Sequence, residues 1–400
     1  MVLRHVLALA ALLLASAFAP LSRAQSTSGA QSTFVDPSIA NSGMGKAGVA
    51  VFWHDDPNDW ENPALLGSHR GVRYLYGKTQ LVPDLADDIY FTSNRLVVGC
   101  AGFGISMAGK PFDSIGGMRL EYGESPATDD QGNFVGVFRA YEEIRQLGLG
   151  INLIEAAENA LRLLGKTAPR LSRRMDLSLG HAWKTVEVDL APAYVTLDGR
   201  EGRGEANERD RGALLRVTLL DQGRDAAASR GGGRLRLETA VGFSQRNYTD
   251  ERISYIDEDQ SDQFTEERLV GIAARATLAF PSDRHGWIWD FIAPRVSLGV
   301  AVEEARYYDD GVRSGSNTIR RFGEELVVEE FLFLRHGYIN DPTGTVQDHT
   351  WGVGAQVRYR DVGGIRYDFA RVPQSKFLEY VNRRGVTVFV DPYRLWEKLR

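Results

Sequence analysis

Gly43-x-Gly45-x-x-Gly48 carries the letters of a dinucleotide-binding turn, in which glycines let backbone N–H groups approach a pyrophosphate. That chemistry needs a buried hydrophobic strand ahead of the turn and a helix behind it. Phe34-Val35-Asp36-Pro37-Ser38 is no such strand. The spacing reads instead as backbone packed into a narrow space where side chains do not fit. The second unit is Asn62-Pro63-Ala64, between Trp60 and Leu65-Leu66-Gly67. Proline fixes φ and removes an N–H, and the asparagine side chain can hydrogen-bond nearby backbone, so the unit makes a rigid corner. Two readings stand for it: a structural corner, or part of a gate. Gly43, Gly45, Gly48, Asn62, Pro63 and Ala64 are the candidate site residues, and none is a catalytic group or a metal ligand.

Enzyme chemistry finds no foothold. There is no H-E-x-x-H and no G-x-S-x-G, the 7 histidines are scattered, and one cysteine makes no thiolate cluster. Glu142-Glu143, Glu324-Glu325 and Glu329-Glu330 are adjacent acidic pairs. On a strand such neighbours point to opposite faces and do not cooperate. The acidic run from Tyr255 to Glu267 reads as a solvated loop, without the spacing of a defined calcium loop. No cofactor or metal is expected. The net charge of −6, with no basic stripe, argues against nucleic acid as a partner.

The compartment is legible at the N-terminus. Arg4 and His5 precede an apolar run from Val6 to Phe18, and Ser22-Arg23-Ala24 is a small-x-small cleavage site. Residues 1–24 read as a cleavable secretory signal; an uncleaved anchor is the alternative, for which the run is short. No later segment approaches ~18 consecutive apolar residues. Cys100, in Val97-Val98-Gly99-Cys100-Ala101, cannot make an internal disulfide and reads as a small apolar strand residue.

Behind the signal, residues 25–42 are rich in Ser, Thr, Ala and Gln and read as extended or loose. From Val72 onward the chain is a series of strand-like segments. In 351–359, Trp351, Val353, Ala355, Val357 and Tyr359 share one face, opposite Gly352, Gly354, Gln356 and Arg358. The segments 235–243, 270–280 and 296–302 alternate in the same way, as do shorter ones at 186–190 and 365–369. A final strand is expected at 385–390, followed by a tail, 391–400, whose Tyr393, Leu395 and Trp396 could fold back on a rim. Segments of about nine to eleven residues can cross a bilayer, and roughly twelve to fourteen of them exceed one sandwich. The fold expected is an all-β transmembrane antiparallel barrel, with a soluble β-sandwich as the rival. A mean hydropathy of −0.27 suits a barrel, whose alternate residues face the lumen, and 42 glycines, 15 tyrosines and 18 phenylalanines suit turns and interfacial girdles. One stretch, 154–164, has apolar residues at helical spacing and reads as a short loop helix; a membrane-surface role is the alternative.

The stretch Gly43-Met44-Gly45-Lys46-Ala47-Gly48-Val49-Ala50-Val51, then Asp55-Asp56-Pro57, then Trp60-Glu61-Asn62-Pro63-Ala64-Leu65-Leu66 resembles the start of the PorV/PorQ proteins, within the FadL-like group of outer-membrane barrels. Phe331-Leu332-Phe333-Leu334-Arg335-His336-Gly337-Tyr338, Thr350-Trp351-Gly352-Val353-Gly354 and Ile365-Arg366-Tyr367-Asp368-Phe369-Ala370 are similar to the family's late strands. The middle third carries little of the resemblance. It implies about fourteen strands over 71–390, a hatch over 25–70 folded into the lumen, and residence in a bacterial outer membrane. The function implied is passive passage of hydrophobic compounds past that hatch, or, in PorV-like members, docking of secreted protein cargo in a type IX-like secretion system. The partners expected are membrane lipids, hydrophobic small molecules or protein cargo, and the barrel-assembly machinery.

Overall fold

In the computed structural model, residues 30–392 are described apart from 84–85, 110–116, 130, 168–169, 192–201, 223–233, 250, 255–260, 280–294, 309–317, 343–345, 360–361 and 375–379. The signal segment 1–24, residues 25–29 and the tail from 393, with Tyr393, Leu395 and Trp396, lie outside the described residues.

The strands are β1 (Gly71–Gln80), β2 (Ile89–Cys100), β3 (Phe103–Ala108), β4 (Met118–Thr128), β5 (Phe134–Asn152), β6 (Met175–Ala191), β7 (Gly202–Gln222), β8 (Arg234–Arg246), β9 (Arg252–Ser254), β10 (Ser261–Gln263), β11 (Glu266–Ala279), β12 (Arg295–Tyr308), β13 (Thr318–Val328), β14 (Leu332–Asp341), β15 (Val346–Tyr359), β16 (Gly363–Val372) and β17 (Val381–Val390). All but β9 and β10 belong to one antiparallel sheet, which closes because β1 pairs with both β2 and β17. β3 and β4 occupy one position, each paired with β2 on one side and β5 on the other. The barrel therefore has fourteen strand positions. Met107 of β3 pairs with Leu96 and Met118 of β4 with Ser93, so that only Asn94 and Arg95 of β2 lie between the two pairings.

The barrel is inside out relative to a soluble protein. Trp351, Val353, Ala355, Val357 and Tyr359 of β15 are exposed, as are Val302 (56 %) and Leu298 (51 %) of β12. The alternate residues that point inward include buried Arg95, Lys184, Glu303, Arg335 and Arg366. A sandwich buries its apolar faces against each other. At 235–243, 296–302 and 351–359 the apolar faces point out and the charged or glycine-bearing ones in, which is the pattern of a strand between lipid and lumen. At 186–190 the apolar side is instead the inward one, Val186 and Val188 being buried on the same face as Lys184. The rival sandwich is thereby excluded.

Helix α1 (Ile39–Gly43) and 3-10 turns at Gln31–Phe34 and Pro63–Ser68 precede the barrel; helix α2 (Leu153–Leu163) joins β5 to β6. Three expectations need correction. Residues 30–42 are not loose: they are short helical turns, largely buried, because Glu142 accepts from the N–H groups of Gln31 and Ser32 and Ser38 caps α1. The acidic run to Glu267 is not all loop. Ser261–Gln263 pairs with β9, and Glu267 is buried on β11 against Arg246 and Arg321. Glu329 and Glu330 lie in a turn at φ 55° each, so strand alternation does not govern them, whereas Glu142 and Glu325 point inward and Glu143 and Glu324 outward.

Candidate functional site

The segment from Ala30 to Arg70 lies against the inward faces of the strands. Its approach is made possible by glycines in register across the wall. Gly99 of β2 pairs with Gly104 of β3, Gly104 with Gly150 of β5, Gly150 with Gly180 of β6, and Gly180 with Gly212 of β7. A Cβ at any of the five would strike the inner segment: His69 at Gly99, Leu66 at Gly104, Gly67 at Gly150, Pro63 at Gly180 and Asn62 at Gly212. Five strands thus present a bare track to residues 62–69. A smaller track, Gly323 paired with Gly337, receives Met44 and Gly45.

The six candidate residues take their places along these tracks. Gly43 packs on Gly352, and Thr350 Oγ1 donates to the Gly43 carbonyl at 2.9 Å while accepting from the Gly45 N–H at 2.8 Å. Gly45 has φ 66° with the wall backbone of Phe322 and Tyr338 beside it, a place closed to any side chain. Gly48 packs on the Asn41 side chain. Asn62 caps the turn Pro63–Ser68: its Oδ1 accepts from Ala64 N–H at 3.0 Å, and its Nδ2 donates to the carbonyls of Val49 (2.8 Å) and Ala213 (3.2 Å). Pro63 opens that turn, and Ala64 is fully buried. Gly43 to Gly48 and Asn62 to Ala64 rest on different stretches of wall, joined through the Asn62–Val49 bond.

Charge fixes what the backbone alone does not. Arg95 of β2 forms ion pairs with Asp56 (2.5 Å) and Asp59 (2.6 Å), and Gln146 of β5 donates to Asp59 at 2.8 Å. Arg321 of β13 meets Glu303 (2.7 Å), Glu267 (2.9 Å) and Glu61 of the inner segment (3.6 Å), while Glu303 accepts from the Val49 N–H at 2.8 Å. Trp60 is nearly fully buried, with Lys184 4.2 Å and Arg246 4.8 Å from its ring centre. Arg383 of β17 donates to Ser42 and to the Asp36 carbonyl. Lys46 belongs to the inner segment rather than to a strand. Burial pushes its ammonium down, and the charges of Arg321 and Arg383 add to this, bringing it to about 8.

The sequence showed the charged inward faces but not these partners. Arg95, Arg321, Arg383 and Lys184 are the residues it left unassigned; their signal is a full charge on the glycine-bearing face of a strand.

Below the hatch-like segment, toward the ends of the strands where β1 begins, lies a cavity of about 330 Å³. Val51, Phe52, Trp53 and Leu65 line one part of it, and Arg73, Arg216, Arg236, Arg275 and Glu238 the other. The Nε atoms of Arg73, Arg236 and Arg275 are buried there without a hydrogen-bond partner on the protein.

No family model and no curated protein matches the chain. Solved structures do. A Pseudomonas aeruginosa FadL homologue is 11 % identical, with 88 % of this chain and 98 % of that chain covered and a TM-score of 0.37. The Pseudomonas putida toluene transporter TodX is 9 % identical, covering 92 % and 98 % with a TM-score of 0.38. The ferric enterobactin receptor PfeA of P. aeruginosa (a mutant) is 11 % identical, covering 77 % and 45 % with a TM-score of 0.29. The likeness is one of architecture. The barrel itself is established by this chain's own closed strand register.

Proposed function

We propose that the protein is an outer-membrane channel of FadL-like type, through which hydrophobic compounds diffuse passively when the segment Gly43–Gly67 is displaced. The observation that carries this reading is the glycine track: a wall that receives a separate length of backbone through bare surface can release it without unfolding. The cavity beneath supports it. Aromatic and aliphatic side chains facing guanidinium groups with unused donors suit a hydrophobic body bearing an anionic head. Diffusion down a gradient needs no cofactor. The resemblance to transport barrels agrees with a non-enzymatic role.

A second reading, a PorV-like barrel that docks secreted protein cargo and does not transport, is favoured by the density of buried ion pairs around residues 56–61, which suits a permanent plug. Flux decides between them. Purified protein in vesicles is given a fluorescent long-chain carboxylate outside, and uptake is compared with that of a Gly180→Val variant whose side chain displaces Pro63. Uptake by the native protein, raised in the variant, supports the channel. No uptake by either, with protein cargo retained on the native barrel, supports docking.

A further inference from the structure

The outer surface of the wall behind the glycine track is concave. An open groove of about 600 Å³ runs up the lipid-facing side of β2, β3, β5 and β6. Gly99, Gly104, Gly150 and Gly180 contribute to it, Phe103, Leu149 and Leu179 flank it, and Trp183 stands at its upper end. Its lower end, at Cys100, Phe103 and Ile151, meets the linker that carries α2: Asn159 donates to the Ala101 carbonyl, and Asn152 both ends β5 and caps α2.

That linker is amphiphilic and basic. Leu163, Leu164 and Leu171 are exposed. Arg162, Lys166, Arg170, Arg173 and Arg174 fall within a dozen residues of one another. The two carboxylates of α2 are committed to partners within the protein. Glu155 pairs with Arg70 at 2.7 Å, and Glu158 accepts from the Ser172 N–H (2.9 Å) and hydroxyl (2.7 Å) and pairs with Arg162. Lys166, Arg170 and Arg174 are left on the exposed surface. Cations and exposed leucines thus share the linker at the foot of the groove, which leads from there toward the barrel middle. A phospholipid in the adjacent leaflet presents the matching parts: a phosphate at the rim and acyl chains inward.

We propose that this face binds one anionic phospholipid of the leaflet adjoining α2, with its phosphate against Lys166, Arg170 and Arg174 and an acyl chain in the groove between Phe103, Leu149 and Leu179. The inference rests on the membrane placement of the barrel and not on transport. Charge complementarity selects an anionic lipid over a zwitterionic one, since basic side chains at a membrane surface attract anionic headgroups.

The lone cysteine supplies the probe. Cys100 is exposed at the foot of the groove. The full-length barrel, labelled there with a small fluorophore, is placed in vesicles containing brominated phosphatidylglycerol or, at equal mole fraction, brominated phosphatidylcholine. A control carries the label at Leu298→Cys in a Cys100→Ser background, on the lipid-facing side of β12. The expected result is at least threefold stronger quenching by the anionic lipid at position 100 and equal quenching at 298. In the triple variant Lys166→Ala, Arg170→Ala, Arg174→Ala, which removes exposed side chains only, the preference should vanish. Equal quenching by both lipids at position 100, or a preference unchanged in the triple variant, overturns the proposal. Quenching at 298 by both lipids shows separately that the barrel lies in the membrane. Its absence there would sink the membrane reading itself.

Discussion

The Asn62 amide donates to the Val49 carbonyl at 2.8 Å and thereby ties the corner of the inner segment to its glycine-rich beginning. The same nitrogen reaches Ala213 on β7, and the side-chain oxygen caps the turn that follows. One side chain therefore joins two parts of the segment to each other and to the wall. Asn62→Ala removes the cap and leaves a buried carbonyl short of a donor, a loss of about 1–3 kcal/mol in docking. Faster amide exchange over residues 44–66, with strand amides unchanged, is the expected outcome.

Gly180 and Gly212 face Pro63 and Asn62 with no room for a Cβ, whereas Gly132 has open space around it. Gly180→Val should expel the corner while the barrel still shifts on a gel between unboiled and boiled samples. Trp60 fluorescence should move toward that of an exposed indole. Gly132→Ala, which strains only its own turn at φ 82° and meets no neighbour, should change neither.

Arg95 is the counter-charge for both Asp56 and Asp59. Replacing it with methionine leaves two buried carboxylates unpaired, a loss of about 3–5 kcal/mol. Protease cleavage within residues 50–60 reports it. Adding Asp56→Asn and Asp59→Asn to Arg95→Met should restore much of the protection, since the charges that needed compensation are gone.

Lys46 releases its proton at about 8 when the segment is docked and near 10.5 when it is free. The docked state binds fewer protons between these values, so docking strengthens as pH rises from about 8 to about 10.5, and the penalty is complete below 8. The change is on the order of 2 kcal/mol, allowing for the solvent that reaches the side chain. Docking measured by amide exchange across that range should climb in the native protein and stay flatter in Lys46→Met.

Much of the wall could be read directly. Alternation at 235–243, 270–280, 296–302 and 351–359 gave both the strands and their outward faces, Phe280 lying outside the described residues, because in a strand the side-chain period is two whatever surrounds it. Helical spacing located α2 to within one residue, Leu153–Leu163 against 154–164, because its apolar periodicity is a local signal. The glycine spacing at 43–48 indicated close packing for the same reason: absence of a side chain is a property of the residue alone.

What sequence could not supply was the identity of neighbours. Arg95 and Asp56, or Arg321 and Glu61, are distant along the chain and are paired only by closure of the barrel. Five glycines spread from 99 to 212 become one track only when strand register aligns them, and register is set by long-range pairing rather than by any local pattern. The loose appearance of residues 30–42 had the same origin. Their polar composition looks solvated in isolation, and they are buried because Glu142 and Arg383 reach them from the wall. The sequence by itself determined the alternation and the bare backbone positions, but not the length of the middle strands, which run to 21 residues in Gly202–Gln222 where about nine to eleven were expected. Tertiary structure alone decided which charges meet and what the glycines face, because those energies arise between segments that only the closed sheet brings together.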